Sequence, residues 1–179
     1  ARYSQWTPEQ GASFMEYLKT QYSDKESWEV RRELLRREIR TNSGIDKVPE
    51  HFDGKVFLGD RREYDGYYVQ KLGLEVLPGV WCTGALYHPL AAAPESGYPL
   101  VLNPHGHNPN GHSAEQVQIR CAMEARMGCV AVSYDMFAWG EQPMFDKKYH
   151  RTGLAQPVQI LNGLRLLDYM LGQDEIDST

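Results

Sequence analysis

The sequence predicts an α/β fold in which N-terminal helices precede an antiparallel hairpin that leads into a mostly parallel sheet with flanking helices. Three observations carry this. Residues 67–89, "YYVQKLGLEVLPGVWCTGALYHP", alternate with a period of two on either side of Leu77-Pro78-Gly79, a turn signal. Two short runs, "LVLNP" and "CVAVSY", are apolar without alternation, as strands covered on both faces are. A helical pattern follows each of them, giving strand, helix, strand, helix.

In chain order, the first helix has Thr7 as its cap and Pro8 at its first position, with Phe14, Met15, Leu18 and Tyr22 as an apolar stripe. A capping box from Ser23 to Glu26 opens the second helix, whose buried side is expected to carry Trp28, Leu34, Leu35 and Ile39. "TNSG" closes it. Residues 1–64 are therefore expected to form a helical N-terminal segment, and residues 65–179 the α/β domain. "AAAPESGYP" is a surface loop between the hairpin and the first apolar strand. The helix "SAEQVQIRCAMEARMG" is capped by Ser113 and stopped by Gly128. In the last helix Val158, Leu161, Leu164, Leu167 and Leu171 are expected on one face.

A chain of 179 residues points to one domain, and 41% hydrophobic with 24% charged residues is ordinary globular composition. A net charge of −5 supplies no basic footprint, which argues against a nucleic-acid partner. The one dense positive stretch, Arg31 to Arg37, alternates with acids and leucines and suits a solvated helix face. No apolar run is long enough to span a membrane. Cys82, Cys121 and Cys129 lack C-x-x-C spacing and sit in apolar contexts, so they are expected to be small core residues and do not report the compartment.

The sharpest local feature is His105-Gly106-His107, which ends an apolar strand. It admits three readings. In the first, His105 and His107, with His112, would hold a metal. Residues one apart on a strand face opposite ways, and no carboxylate cluster completes the set, so no metal is expected. In the second, the loop is only structural, with His105 bonded to backbone groups. In the third, it supplies a backbone N–H to an oxyanion. Asp135 stands at the carboxyl end of the other apolar strand, where open α/β sheets put their ligands. Asp135, His105 and Trp139 are candidate substrate contacts, with Trp139 and Gly140 as part of a wall beside them. Alternatively, Asp135 caps a turn and Trp139 seals the sheet. His150 and Arg151 are expected to be solvated loop residues. Tyr67, Tyr68, Trp81 and Tyr87 are expected to be packing residues.

Four strings, "PGVWCTGALYHP", "YPLVLNPHGHN", "GCVAVSYDMFAWGEQ" and "GLRLLDYMLGQDEID", occur in an order that resembles the α/β-hydrolase superfamily. The likeness is to bacterial esterases grouped with acetyl xylan esterases and related carbohydrate esterases, over roughly residues 65–177. The resemblance implies a serine hydrolase acting on an acetyl or methyl ester of a carbohydrate, with no metal or organic cofactor. It implies that His107 gives a backbone N–H to the oxyanion, and that Gly106 lets the chain turn and substrate approach closely. It places the serine in G-x-S-x-G after the next strand, with acid and histidine following. No serine of this chain has those flanking glycines. The chain thus resembles the front part of the fold, before the nucleophile elbow, and is expected to be inactive alone. The remainder would come from a second chain or a continuation, pairing beside "CVAVSYD". A start at Ala1 rather than Met, with the habits of these esterases, suggests a periplasmic or secreted protein. The competing readings are a non-catalytic scaffold or binding module on the same fold, and a peptidase or dienelactone-type hydrolase.

Overall fold

A computed structural model of the chain describes residues 5–49, 51–141 and 147–179. The chain forms two compact units, 1–46 and 47–179. In the first, helix α1 (Pro8–Lys19) opens on a capping box in which Thr7 and Gln10 satisfy each other's backbone donors. Helix α2 (Lys25–Ser43) opens one residue later than the sequence suggests. Asp24 is its cap, and Ser27 returns the bond. Its end is Gly44, in the left-handed conformation at φ 78°. The expected burial is not found: Phe14, Met15, Tyr22, Trp28 and Ile39 are all exposed.

The second unit is built on one sheet. Its strands are β1 (Val56–Leu58), β2 (Arg62–Tyr64), β3 (Tyr67–Leu77), β4 (Val80–Pro89), β5 (Leu100–Pro104) and β6 (Val130–Tyr134). The spatial order is β1-β3-β4-β6-β5, with β2 also paired to β3. Strands β3 and β4 form the expected hairpin, with register running from Tyr67 opposite Pro89 to Leu77 opposite Val80. Strand β6 pairs antiparallel with β4 and parallel with β5. Helix α3 (Glu115–Arg126) makes the crossover between the parallel pair, and α4 (Ala155–Leu171) follows β6.

Three expectations change here. The helical segment does not extend to residue 64, because β1 and β2 join the sheet and the compact unit begins at Lys47. Three-residue strands are too short to show a period. Ser113 does not cap α3: it lies in a 3-10 turn, Gly111–Ser113, and Ala114 is the N-cap. The edge open to further polypeptide is also not beside "CVAVSYD". β6 is paired on both sides, and of the two parallel strands it is β5 that has a flank unpaired among the described residues.

Burial explains the strand patterns. Val130 to Ser133 are all buried, which is why the strand shows no alternation. One core cluster packs Val117, Cys121 and Ala125 of α3 on Ala85, Tyr87 and Ala131 of the sheet. Cys82 and Cys121 are free thiols in that interior, and burial pushes their pKa values up to about 12 and about 11, so they stay protonated and inert. α4 buries Val158, Leu161, Leu166 and Met170, but Leu164 and Leu171 remain exposed. No helix among the described residues is long and apolar enough to cross a membrane.

Candidate active-site loops

Two loops leave the carboxyl ends of the parallel strands, one after Pro104 of β5 and one after Tyr134 of β6. They are fastened together by Asp135, which is fully buried. Its Oδ1 accepts the His112 backbone N–H at 2.9 Å. Its Oδ2 accepts from His112 Nδ1 at 2.9 Å, Thr83 Oγ1 at 3.0 Å and the Glu141 backbone N–H at 2.9 Å. His105 Nε2 lies 3.4 Å from Oδ1. Burial alone would raise the Asp135 pKa. The hydrogen bonds from His105 and His112 outweigh it and hold the carboxyl well below its usual range.

Two glycines make room for this carboxylate. Gly111 (φ 54°) and Gly140 (φ 60°) both have left-handed backbones, and a Cβ at either would lie 2.2 or 2.0 Å from Asp135 Oδ1. Here conformation and space both require glycine. Gly106 differs. Its φ is not positive and a Cβ there would meet nothing within 4 Å, so the turn does not need a glycine, and what it leaves is open space above the loop.

His105 is buried beneath the loop. Its Nδ1 faces the Gly106 carbonyl, and its Nε2 lies 3.1 Å from the Met136 backbone N and 3.4 Å from Asp135 Oδ1, so the neutral ring accepts the Met136 N–H and the protonated ring donates to Asp135. Burial lowers its pKa, but Asp135 and the Gly106 carbonyl outweigh that and hold it above the usual imidazole value. With both side chains sealed from solvent, His105 and Asp135 are framework and not substrate contacts. This corrects the sequence-based assignment, because strand-end position alone does not reveal burial.

His107 is exposed and turns away from Asp135. Its Nε2 lies 3.0 Å from His150 Nε2, and the two rings meet Trp139 at centroid distances of 5.7 and 5.1 Å. Trp139 Nε1 donates to the Asn108 carbonyl, tying one loop to the other. Ala138, at φ 58°, is the one non-glycine with a left-handed backbone among the described residues, and it turns the chain that presents Trp139. Residues 142–146 lie outside the described residues. His150 was expected to be a solvated loop residue and instead joins the site. It lies far from His107 in sequence and no local pattern marks it.

Asp135, His112 and Ser113 also stand in the order of a catalytic triad, with Ser113 Oγ 3.4 Å from His112 Nε2. Lys71 Nζ competes for the same nitrogen at 3.5 Å and is ion-paired with Glu141 at 2.7 Å. The neighbouring backbone donors are engaged: Ser113 N with the Asn110 carbonyl, Ala114 N with the Gly111 carbonyl. Without a free N–H pair to hold an oxyanion, we assign this trio to loop structure. The Gly106 and His107 backbone N–H groups, by contrast, donate to nothing among the described residues. The triad-like trio lacks an oxyanion hole, and the loop with open donors lacks a nucleophile.

An antiparallel hairpin feeding a β-α-β crossover, with loops at the carboxyl ends of the parallel strands, defines part of an α/β-hydrolase fold. Among solved structures, the chain is similar to Methylesterase BT1017, at 37% identity and TM-score 0.90 over 98% of this chain and 40% of that one. A Bacteroides fragilis protein assigned as an acetyl xylan esterase matches with TM-score 0.64 at 15% identity, over 98% of this chain and 55% of that one. Acetyl xylan esterase from Paenibacillus sp. R4 matches with TM-score 0.56 at 16% identity, over 81% and 48% of the two chains. The latter two carry the fold alone. The chain spans less than two thirds of each of these proteins. No protein-family model and no curated protein matches it.

Proposed function

We propose that the protein carrying this chain is an esterase that hydrolyses a methyl or acetyl ester of a carbohydrate. The observation that carries this is the pair of unengaged backbone donors, Gly106 and His107, at the carboxyl end of β5. Such donors, fixed before reaction, stabilise the charge of a tetrahedral intermediate. The likeness to a methylesterase at 37% identity favours the methyl ester first. The attacking group would be a serine on polypeptide pairing along the free flank of β5, with a histidine as its general base. Two features support that placement. Residues 175–177 already run parallel beside Tyr98, with Tyr98 N–H donating to Glu175 O at 2.8 Å and Asp177 N–H to Tyr98 O at 2.9 Å. Exposed Leu171, with Leu167, lines the groove next to Leu100 and Leu102. Trp139 and His107 would border the bound sugar. Periplasmic or secreted location is part of the same proposal and rests on the esterase resemblance.

The test is hydrolysis of methyl-esterified uronate oligosaccharides and of acetylated xylan by the full-length protein. Release of methanol or acetate, blocked by a serine-directed phosphonate, is the expected result. A folded protein that turns over neither would overturn it.

A further inference from the structure

We propose that His107 and His150 form a binding site for a divalent transition-metal ion, with Cu²⁺ held most tightly. The argument begins with the proton inventory of the pair. His150 Nδ1 lies 3.0 Å from the Phe137 carbonyl oxygen, an acceptor only. That nitrogen therefore carries the proton, and neutral His150 presents a bare lone pair at Nε2. The Gln159 carboxamide, 3.3 Å from the same Nδ1, has interchangeable ends and adapts to this. Facing the lone pair at 3.0 Å is His107 Nε2. In the metal-free protein a proton on His107 Nε2 donates to that lone pair, and a metal ion bound by both nitrogens releases this proton and lies off the N···N line.

The geometry suits a metal. With metal–nitrogen bonds of about 2.05 Å, two nitrogens 3.0 Å apart subtend about 94° at the ion, the angle between neighbouring ligands of a tetragonal centre. Tetragonal nitrogen sites suit Cu²⁺ and Ni²⁺, and the general affinity order favours Cu²⁺. The Phe137 carbonyl is the kind of outer partner that orients a ligating imidazole. The rings meet at 76°, so they do not stack on one another. Among the described residues no group of three or more ligating side chains surrounds an ion here. The site therefore offers two ligands, with water completing the shell. That fits an exchangeable ion at the mouth of the loop and not a resident cofactor.

The inference stands apart from ester hydrolysis, because its readout is metal binding. Cu²⁺ is titrated into the full-length protein, followed by calorimetry and by electron paramagnetic resonance. The expected result is a tetragonal centre coupled to two imidazole nitrogens. His107→Gln and His150→Gln should each weaken binding by roughly tenfold or more and remove one nitrogen coupling. His107 is exposed, so His107→Gln keeps the test sound even if His150→Gln disturbs the Trp139 loop. Unchanged affinity and unchanged nitrogen coupling in His107→Gln would overturn the proposal, as would no Cu²⁺ binding by the wild-type protein.

Discussion

Asp135 concentrates more hydrogen bonds than any other side chain of the two loops, and its removal should be felt in stability first. Asp135→Asn keeps the shape but removes the charge that His112, Thr83 and the Glu141 N–H all address. Breaking a buried, hydrogen-bonded charge of this kind costs about 3–5 kcal/mol, readable by urea unfolding. The pH sign follows from the lowered pKa. The stabilising effect of Asp135 is fully present above its ordinary value of 3.8 and is lost as pH falls through the depressed folded value. His105 acts oppositely. Its raised pKa gives stability below the ordinary imidazole value of 6.5, lost as pH rises through the folded value. Unfolding free energy followed from acid to mildly alkaline pH checks both, Asp135 at the acid end and His105 above pH 6.5. Gly140→Ala should also destabilise, since its Cβ would overlap the carboxylate, whereas Gly106→Ala should leave the melting temperature unchanged. In turnover, His107→Ala retains the backbone donor and should cost less than about tenfold, while His107→Pro deletes it and should cost on the order of 10²-fold. The position of Asp135 was legible from the strand before it. Its burial was not, because that depends on His105, His112 and Thr83 arriving from three other elements.

At the scale of elements, the hairpin and the two apolar strands were legible because their patterns follow directly from one or two covered faces. The strand order was not. Nothing local says that β6 inserts between β4 and β5, and the misplaced open edge follows from that. The α4 face was half legible: Val158 and Leu161 are buried as expected, but Leu164 is exposed and Leu171 lines the β5 groove. Hydrogen exchange checks the arrangement. Amides of β6, bonded on both flanks, should exchange slowest. Those of β5 that point away from β6 should exchange quickly in residues 1–179 alone and slowly in the full-length protein, the result expected from the proposed strand on that flank. Equal rates in both would argue against any strand on that flank.

For the whole molecule, the resemblance read from four strings led to the right fold class, since those strings are the hairpin, both loop-bearing strands and α4. What the strings could not reveal was the early boundary at Lys47, because β1 and β2 hold only three residues each. The chain spans 40% of the length of Methylesterase BT1017, and at this scale the prediction concerns completeness. Residues 1–179 alone should release no methanol or acetate from substrates that the full-length protein hydrolyses, and should show a broad, weakly cooperative melt. A domain's net stability is only about 5–15 kcal/mol, so an uncovered sheet edge and leucine stripe leave little margin. Ester turnover by the 179 residues would contradict the assignment of the nucleophile to further polypeptide.

The carboxylate that binds two loops also sets the unit of exchange between relatives. A graft that moves residues 105–113 into another scaffold carries His112 away from Asp135 and strands a charge in the recipient or the donor. Gly111 makes the same demand, since its left-handed backbone lies against a carboxylate oxygen supplied by the opposite segment. The two loops should therefore be inherited and transplanted as one cassette, with Thr83 of β4 as its third anchor.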